Sequence, residues 1–254
     1  MKQRRNDMKK ITKLLTSFAL VASLAACGST DGGEPKSLDE VKIGAIQLAE
    51  HPALDKAYEG FKDALKEAGI SEDQIDFQNA QGDQSNCETI ANKFVNDGDD
   101  LICAIATPAA QAVAGKTTDI PVVVSAVTDP EAAGLVESNE KPGTNVTGAS
   151  DMNPINEQID LLTQLVPDAK KVAIMYCSSE DNSIVQADLA EKVLKEKGIE
   201  VERATVSESN QISQVTESLV GKVDAIYIPT DNMLAEGMSQ VASIANENKI
   251  PTIV

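Results

Sequence analysis

The sequence has no tryptophan, a single histidine and only 3% aromatic residues. Sugar sites usually offer aromatic faces for stacking, so this scarcity counts against a carbohydrate binder. One imidazole, His51, cannot supply a two-histidine metal motif, and the chain contains no GxSxG, no P-loop and no GxGxxG. No group of carboxylates shows metal-ligand spacing. We therefore expect no metal, no cofactor and no catalytic residue. Basic residues are also few, 22 Lys and Arg against 40 Asp and Glu, for a net charge of −18. Such a surface repels a phosphate backbone, which excludes nucleic acid as a partner and fits a well-solvated protein. Cysteine is sparse. Cys87, Cys103 and Cys177 match no metal spacing and are odd in number, so no disulfide framework is expected. Cys103, inside an apolar run, reads as a core residue.

The chain is least acidic at its start. Lys2, Arg4, Arg5, Lys9, Lys10 and Lys13 face only Asp7, and an apolar stretch follows at residues 14–24. That stretch is shorter than the roughly 20 residues that span a membrane, and small residues come after it. The pattern is that of a secretory signal over residues 1–26. Leu24-Ala25-Ala26-Cys27 resembles the bacterial lipobox, which implies that the Cys27 thiol is lipidated and becomes the first residue of the mature protein. Lipid chains at that position would hold the protein at the outer face of the cell membrane. Residues 27–40 then read as a small, polar tether.

From residue 41 the sequence alternates. VKIGAIQL (41–48) reads as a strand, and DKAYEGFKDALKEAG (55–69) as a helix closed by Gly69. IDFQN (75–79) is a weak strand. SNCETIANKFVND (85–97) is a helix with Ile90, Phe94 and Val95 on one face. LICAIAT (101–107), PVVVSAV (121–127) and NVTGAS (145–150) are strands, and PAAQAVAGK (108–116) is a helix. Strands alternating with helices at this spacing imply βαβ units around a parallel sheet. The pattern then restarts. KKVAIMY (170–176) parallels VKIGAIQ (41–47), LKEKGI (194–199) parallels LKEAGI (65–70), VDAIYIPT (223–230) parallels DLICAIAT (100–107), and IPTIV (250–254) parallels IPVVV (120–124). Two related lobes are expected, at 41–150 and 151–254, with ASDMNP (149–154) as a crossing strand.

Ligands of open parallel sheets gather beyond the carboxyl ends of the strands. There the sequence places Glu50 and His51, then Thr107 with Ala109 behind it, then Thr128 and Asp129. In the second half it places Ser178, Ser179 and Asn182, then Thr230, Asp231 and Asn232. These residues suit a zwitterion. Thr107-Pro108 reads as an N-cap followed by Pro in the first turn, where free N–H groups attract a carboxylate. Asp129 or Asp231 could accept from an ammonium group. The apolar TPAAQ segment (107–111) could receive an indole or phenol ring. The alternative is that these Ser, Thr and Asp residues are only caps and turns. GDD (98–100) and EDN (180–182) read as solvated turns, and His51 beside Pro52 as a solvated loop residue.

EHPALD, QGDQSN, IATPAAQ, AVTDP, TGASDM and YIPTDN together resemble the ABC-transporter substrate-binding lipoproteins of the tryptophan/tyrosine type, from residue 41 to the end. The resemblance implies a type I periplasmic-binding-protein fold, an α/β architecture of two Rossmann-like lobes joined by a hinge. It implies capture of a small molecule, often an aromatic amino acid, by a monomer that serves an ABC permease and its ATPase. The strand-tip residues from Glu50 to Asn232, His51 excepted, are then the expected ligand contacts. Cys177 stands where a polar residue such as Asn would be expected. The family continues past the point matching IPTIV, so the second lobe is expected to be incomplete. Two other functions fit the same pattern: a receptor passing ligand state to a signalling partner, and a surface hydrolase using Ser178 or Ser179 with His51.

Overall fold

The computed structural model describes residues 36–254. Of the first unit, Met1–Glu40, only the last five residues are described, with a 3-10 turn at Leu38–Glu40. The signal peptide expected at 1–26, the expected lipidation site Cys27 and the expected tether as far as residue 35 lie outside the described residues. Val41–Val254 forms a second unit of its own.

That unit contains two parallel sheets. The first takes strands β1 (Ile43–Gln47), β2 (Ile75–Asn79), β3 (Leu101–Ile105), β4 (Val122–Val127) and β5 (Val146–Ser150) in the order β2-β1-β3-β4-β5. The second takes β6 (Lys171–Cys177), β7 (Glu200–Val206), β8 (Ala225–Tyr227) and β9 (Thr252–Ile253) in the order β7-β6-β8-β9. The second sheet thus follows the first, strand for strand, as the duplicated strings imply. Helices α1 (Pro52–Glu67), α2 (Gln84–Asp97) and α3 (Thr107–Ala114) serve the first sheet. Helices α4 (Ile155–Leu165), α5 (Asp181–Glu196), α6 (Ile212–Ser218) and α7 (Asn232–Glu247) follow in the second half.

β6 shows why a central strand of such a sheet reads as an unbroken apolar run. Ala173, Met175 and Cys177 enter one hydrophobic cluster, and Val172, Ile174 and Tyr176 enter another on the opposite face. Side chains alternate faces along a strand, and helices cover both faces here, so both sets are apolar. In the first half, Cys87, Ala91 and Phe94 of α2 pack into a core with β1 and β3. Ile90 and Val95, expected on that buried face, are only half-buried. The Asp83 carboxylate caps α2 by accepting from the N–H groups of Ser85 (2.7 Å) and Asn86 (3.0 Å), and Gly98 ends the helix at φ 67°. The three described cysteines are buried and unbridged; burial pushes Cys103 up to about 12 and Cys87 to about 11.

Several boundaries differ from those expected. α1 begins at Pro52 because His51 is its N-cap, with Nδ1 accepting from Ala53 N–H at 3.2 Å. His51 is therefore a structural cap and not a solvated loop residue. α3 begins at Thr107, which occupies the first helical position, so Thr107 is not the cap. Ala106 holds that place at φ 81°. ASDMNP is not a continuous strand: β5 ends at Ser150, and Asp151–Pro154 is irregular. The 180–182 turn is solvated only at Asp181, since Glu180 is only 6% exposed and Asn182 5%. Asp99 of the GDD segment is likewise buried.

Candidate functional site

Carboxyl-terminal ends of strands from both sheets surround a cavity of about 380 Å³. Ala49 follows β1, Ala126 and Thr128 come from the end of β4, and Asp151 and Asn153 from the crossing after β5. Across from them stand Asn182 of α5, residues 228–232 at the tip of β8, and Ala235, Glu236 and Met238 of α7. The volume lies within the range of roughly 300–1,000 Å³ usual for small-molecule sites. Ala106 and Ala126, both at positive φ (81° and 53°), sit at the ends of β3 and β4, where strain often accompanies function. The pairing of β4 with β5 slips between Val124 and Val127, next to the lining residues Ala126 and Thr128.

The β8 tip is held by a dense polar network. The Thr230 carbonyl accepts from Gln186 Nε2 (3.0 Å) and Asn182 Nδ2 (3.3 Å), while Thr230 Oγ1 accepts from Asn153 Nδ2 at 2.6 Å. Asp231 caps α7: its Oδ1 accepts from Leu234 N–H at 2.8 Å and its Oδ2 from Cys177 N–H at 2.6 Å. Burial, with the nearby Glu180 charge, pushes Asp231 up to about 6. The Glu180 carboxylate accepts from Asn232 N–H and Nδ2, Met233 N–H and Asn182 Nδ2. The polar PTDN tip thus links β8 to β6, α5 and α7 while presenting its remaining surface to the cavity.

Thr128, Asn182, Thr230, Asp231 and Asn232 line this cavity. The other expected contacts stand elsewhere. Glu50 is exposed outside the lining. Thr107 and Ala109 are buried and are not among the lining residues, and Thr107 Oγ1 has no hydrogen-bond partner. Asp129 is not among the lining residues; its Oδ1 closes its own turn by accepting from Glu131 N–H, Ala132 N–H and Asn139 Nδ2. Ser178 and Ser179 are exposed. The former's Oγ bonds the Val206 carbonyl, the latter's lies 3.1 Å from Cys177 Sγ, and neither is paired with His51. The apolar wall comes from Ala49, Leu54, Ala126, Ile228, Pro229 and Met238, not from TPAAQ. His51, Asp151, Asn153 and Glu236 were missed as lining residues. The signal for two of them was position: Asp151 and Asn153 lie at the junction of the two repeats, where a cleft between them must pass.

The two halves also touch directly. Gln111 of α3 donates to the Ala133 carbonyl at 3.1 Å and to Asp181 Oδ2 of α5 at 2.8 Å. The Asn153–Thr230 bond ties the segment after β5 to the β8 tip.

Two similar α/β halves with a cavity between their strand tips define a type I periplasmic-binding-protein architecture, the class of bilobal solute-binding proteins. Residues 42–254 match the family of ABC transporter substrate binding proteins, and the chain belongs to that family. It is 46% identical to a tyrosine-binding protein of Clostridioides difficile (strain R20291), over 96% of this chain and 74% of that one. The ABC domain from Streptococcus pneumonia in complex with L-Trp superposes with a TM-score of 0.79 at 43% identity, covering 83% of this chain and 73% of that chain. A ligand-free, open substrate-binding protein with adhesive properties from Clostridium difficile is 48% identical, yet superposes with a TM-score of only 0.59 over 84% of this chain and 73% of that chain. The overall arrangement here is therefore nearer to the Trp-bound relative than to the open one, although identity alone would rank them the other way. Among the described residues, no helix is long and apolar enough to cross a membrane, and no group of three or more His, Cys, Asp or Glu could hold a metal ion.

Proposed function

We propose that this protein captures an aromatic amino acid, tryptophan or tyrosine, between lobes at 41–150 and 151–254, and delivers it to an ABC permease and its ATPase. It works as a monomer on the extracytoplasmic face of the cell membrane, held there by lipid on Cys27. The observation that carries this reading is the cavity itself. It joins an apolar wall, suited to a ring, to a polar rim at Thr128, Asn182 and Thr230. The tyrosine-binding and Trp-bound relatives support the ligand class.

The lobes open and close about the crossing segment after Ser150, and the ligand favours closure through its greater affinity for the closed form. The Gln111–Asp181 bond, which runs between the two lobes, belongs to that closed form. Lipid anchoring raises the effective concentration at the permease.

The test is a thermal-shift and calorimetric screen of the mature chain against the twenty amino acids, with mass spectrometry of any small molecule that co-purifies. Tryptophan or tyrosine should stabilise the fold by about 2.7 kcal/mol at a hundredfold excess over Kd. A screen with no response from any aromatic amino acid would refute the reading.

A further inference from the structure

We propose that Ser150 is a positioning residue for ligand capture: its hydroxyl pins the crossing segment to the first half as far as Met152, which concentrates opening and closing in one peptide unit, Met152–Asn153. The proposal rests on reading the two halves as lobes that close on a ligand, and it names the joint at which they turn.

Among the described residues the chain passes between the two sheets once, after β5. As far as Met152 its hydrogen bonds run to the first half. The Ser150 hydroxyl donates to the Thr128 carbonyl at 2.6 Å and accepts from the Met152 N–H at 3.3 Å, and the Asp151 N–H donates to the Val127 carbonyl at 3.1 Å. A serine oxygen that accepts from the N–H two residues on forms a local turn, and here the same atom also reaches back to the end of β4. From Asn153 onward the bonds run to the second half. Asn153 Nδ2 donates to Thr230 Oγ1 at 2.6 Å, and the carbonyls of Asn153 and Pro154 accept from the N–H groups of Ile155 (2.9 Å) and Glu157 (2.9 Å). The change of allegiance falls between two neighbouring residues.

Backbone freedom narrows to the same place. The ring of Pro154 fixes its φ, here −76°, and α4 begins at Ile155. A residue before proline is held to extended conformations, which restricts ψ of Asn153. The Met152 N–H is clamped by Ser150. What remains free is ψ of Met152 and φ of Asn153, the two rotations that flank one peptide bond. A hinge absorbs a domain rotation in a few such dihedrals. Asp151 and Asn153 line the cavity on either side of this joint, and so does Thr128, whose carbonyl Ser150 holds. Ser150 itself is not a lining residue, so its effect on a ligand passes through the joint. Without the clamp, Met152 gains backbone freedom that closure must remove, and binding weakens.

Residual dipolar couplings of the mature chain, measured with and without tyrosine and with and without tryptophan, test the joint. The two halves should reorient when the amino acid is added. In both states the Asp151 and Met152 N–H vectors should keep the alignment of the first half, and those of Ile155 and Asn156 the alignment of the second. A Met152 that follows the second half, or an Ile155 that follows the first, would overturn the proposal and leave ligand capture standing. Halves that keep one relative orientation although the amino acid binds would overturn it together with the closing motion. No binding of either amino acid would refute the proposed function and this joint with it. Ser150→Ala should lower the order parameter of the Met152 amide from about 0.85 to below about 0.6. It should weaken binding by about 5- to 30-fold, the cost of ordering one more residue's backbone. Ser150→Thr keeps the hydroxyl and should restore both. A Ser150→Ala chain with wild-type order at Met152 and wild-type affinity would show that the hydroxyl pins nothing.

Discussion

Glu180 and Asn232 lie fifty-two positions apart in the sequence and are joined side chain to side chain, with Asn232 Nδ2 donating to Glu180 Oε2 at 2.6 Å. The same carboxylate accepts from the N–H groups of Asn232 and Met233, so the residue that opens α5 also satisfies the first turn of α7. Both helices start at the cavity, and one buried side chain sets their separation.

Removing that carboxylate should be costly. Glu180→Ala leaves the N–H groups of Asn232 and Met233 and the Asn232 side-chain amide without this acceptor, while Asn182 Nδ2 keeps Ser183 Oγ and the Thr230 carbonyl. We expect a loss of about 2–3 kcal/mol in denaturant unfolding. Glu180→Gln keeps one acceptor oxygen and should fall between the two. Equal stability of all three proteins would show that water replaces the network.

Asp99 predicts a pH signature. Burial, with the Asp97 charge beside it, pushes Asp99 up to about 6 from an ordinary 3.8, and its Oδ2 has no partner. The folded chain therefore holds this proton in a window, from about 4 to about 6, where the unfolded chain has released it. In that window this group's contribution to stability rises as pH falls and is lost as pH rises through about 6. Asp99→Asn should raise Tm at pH 7.5, by roughly 2–4 °C for each kcal/mol regained, and change it little at pH 4. A Tm difference that does not vary with pH would rule out the titration of Asp99 as the cause.

The Gln111–Asp181 bond joins the two halves and lies outside the core of either. Gln111→Ala should leave the stability of the unliganded protein nearly unchanged and weaken ligand affinity by about 2- to 10-fold, the worth of one ordinary hydrogen bond at about 0.5–1.5 kcal/mol. A double-mutant cycle with Asp181→Ala, read by calorimetry, should show that the two effects do not add. Additive losses would mean that the contact does not hold the halves together.

Gly148 is required by a close approach. A Cβ at this position on β5 would stand 2.1 Å from the carbonyl oxygen of Val124 and 2.8 Å from its carbonyl carbon, where the β4–β5 pairing slips. Backbone atoms cannot rotate away. Gly148→Ala should cost about 1–3 kcal/mol and, by shifting the end of β4, disturb Thr128. Chemical denaturation and ligand titration of the variant would measure the two effects separately. Wild-type values in both would show that the sheet accommodates the methyl group.

Most of the architecture was legible because it follows from local periodicity. β6 had to be apolar along its whole length to be covered on both faces, and the matching of VKIGAIQ with KKVAIMY carried the duplication of sheet order. The edges of elements were harder to read, since they depend on single atoms. His51 looked like a loop residue until its Nδ1 was seen to accept from Ala53, and Thr107 looked like a cap until Ala106 was found at φ 81°. The site was half legible. Thr128, Asn182, Thr230, Asp231 and Asn232 line the cavity as their strand-tip positions suggested, but Asp129 folds its carboxylate into its own turn, and Ser178 and Ser179 point their hydroxyls at local partners.

Sequence alone determined that two related α/β halves exist and that polar residues gather beyond their strands, because both properties are written in the order of side chains along single elements. Only the tertiary structure decided which of those polar residues remain available. A carboxylate such as Asp231 is committed by N–H groups from Cys177 and Leu234, the first of them fifty-four positions away, whereas Asp151 is left facing the cleft. Local pattern cannot carry that information, because whether a side chain is free depends on what the rest of the chain brings to it.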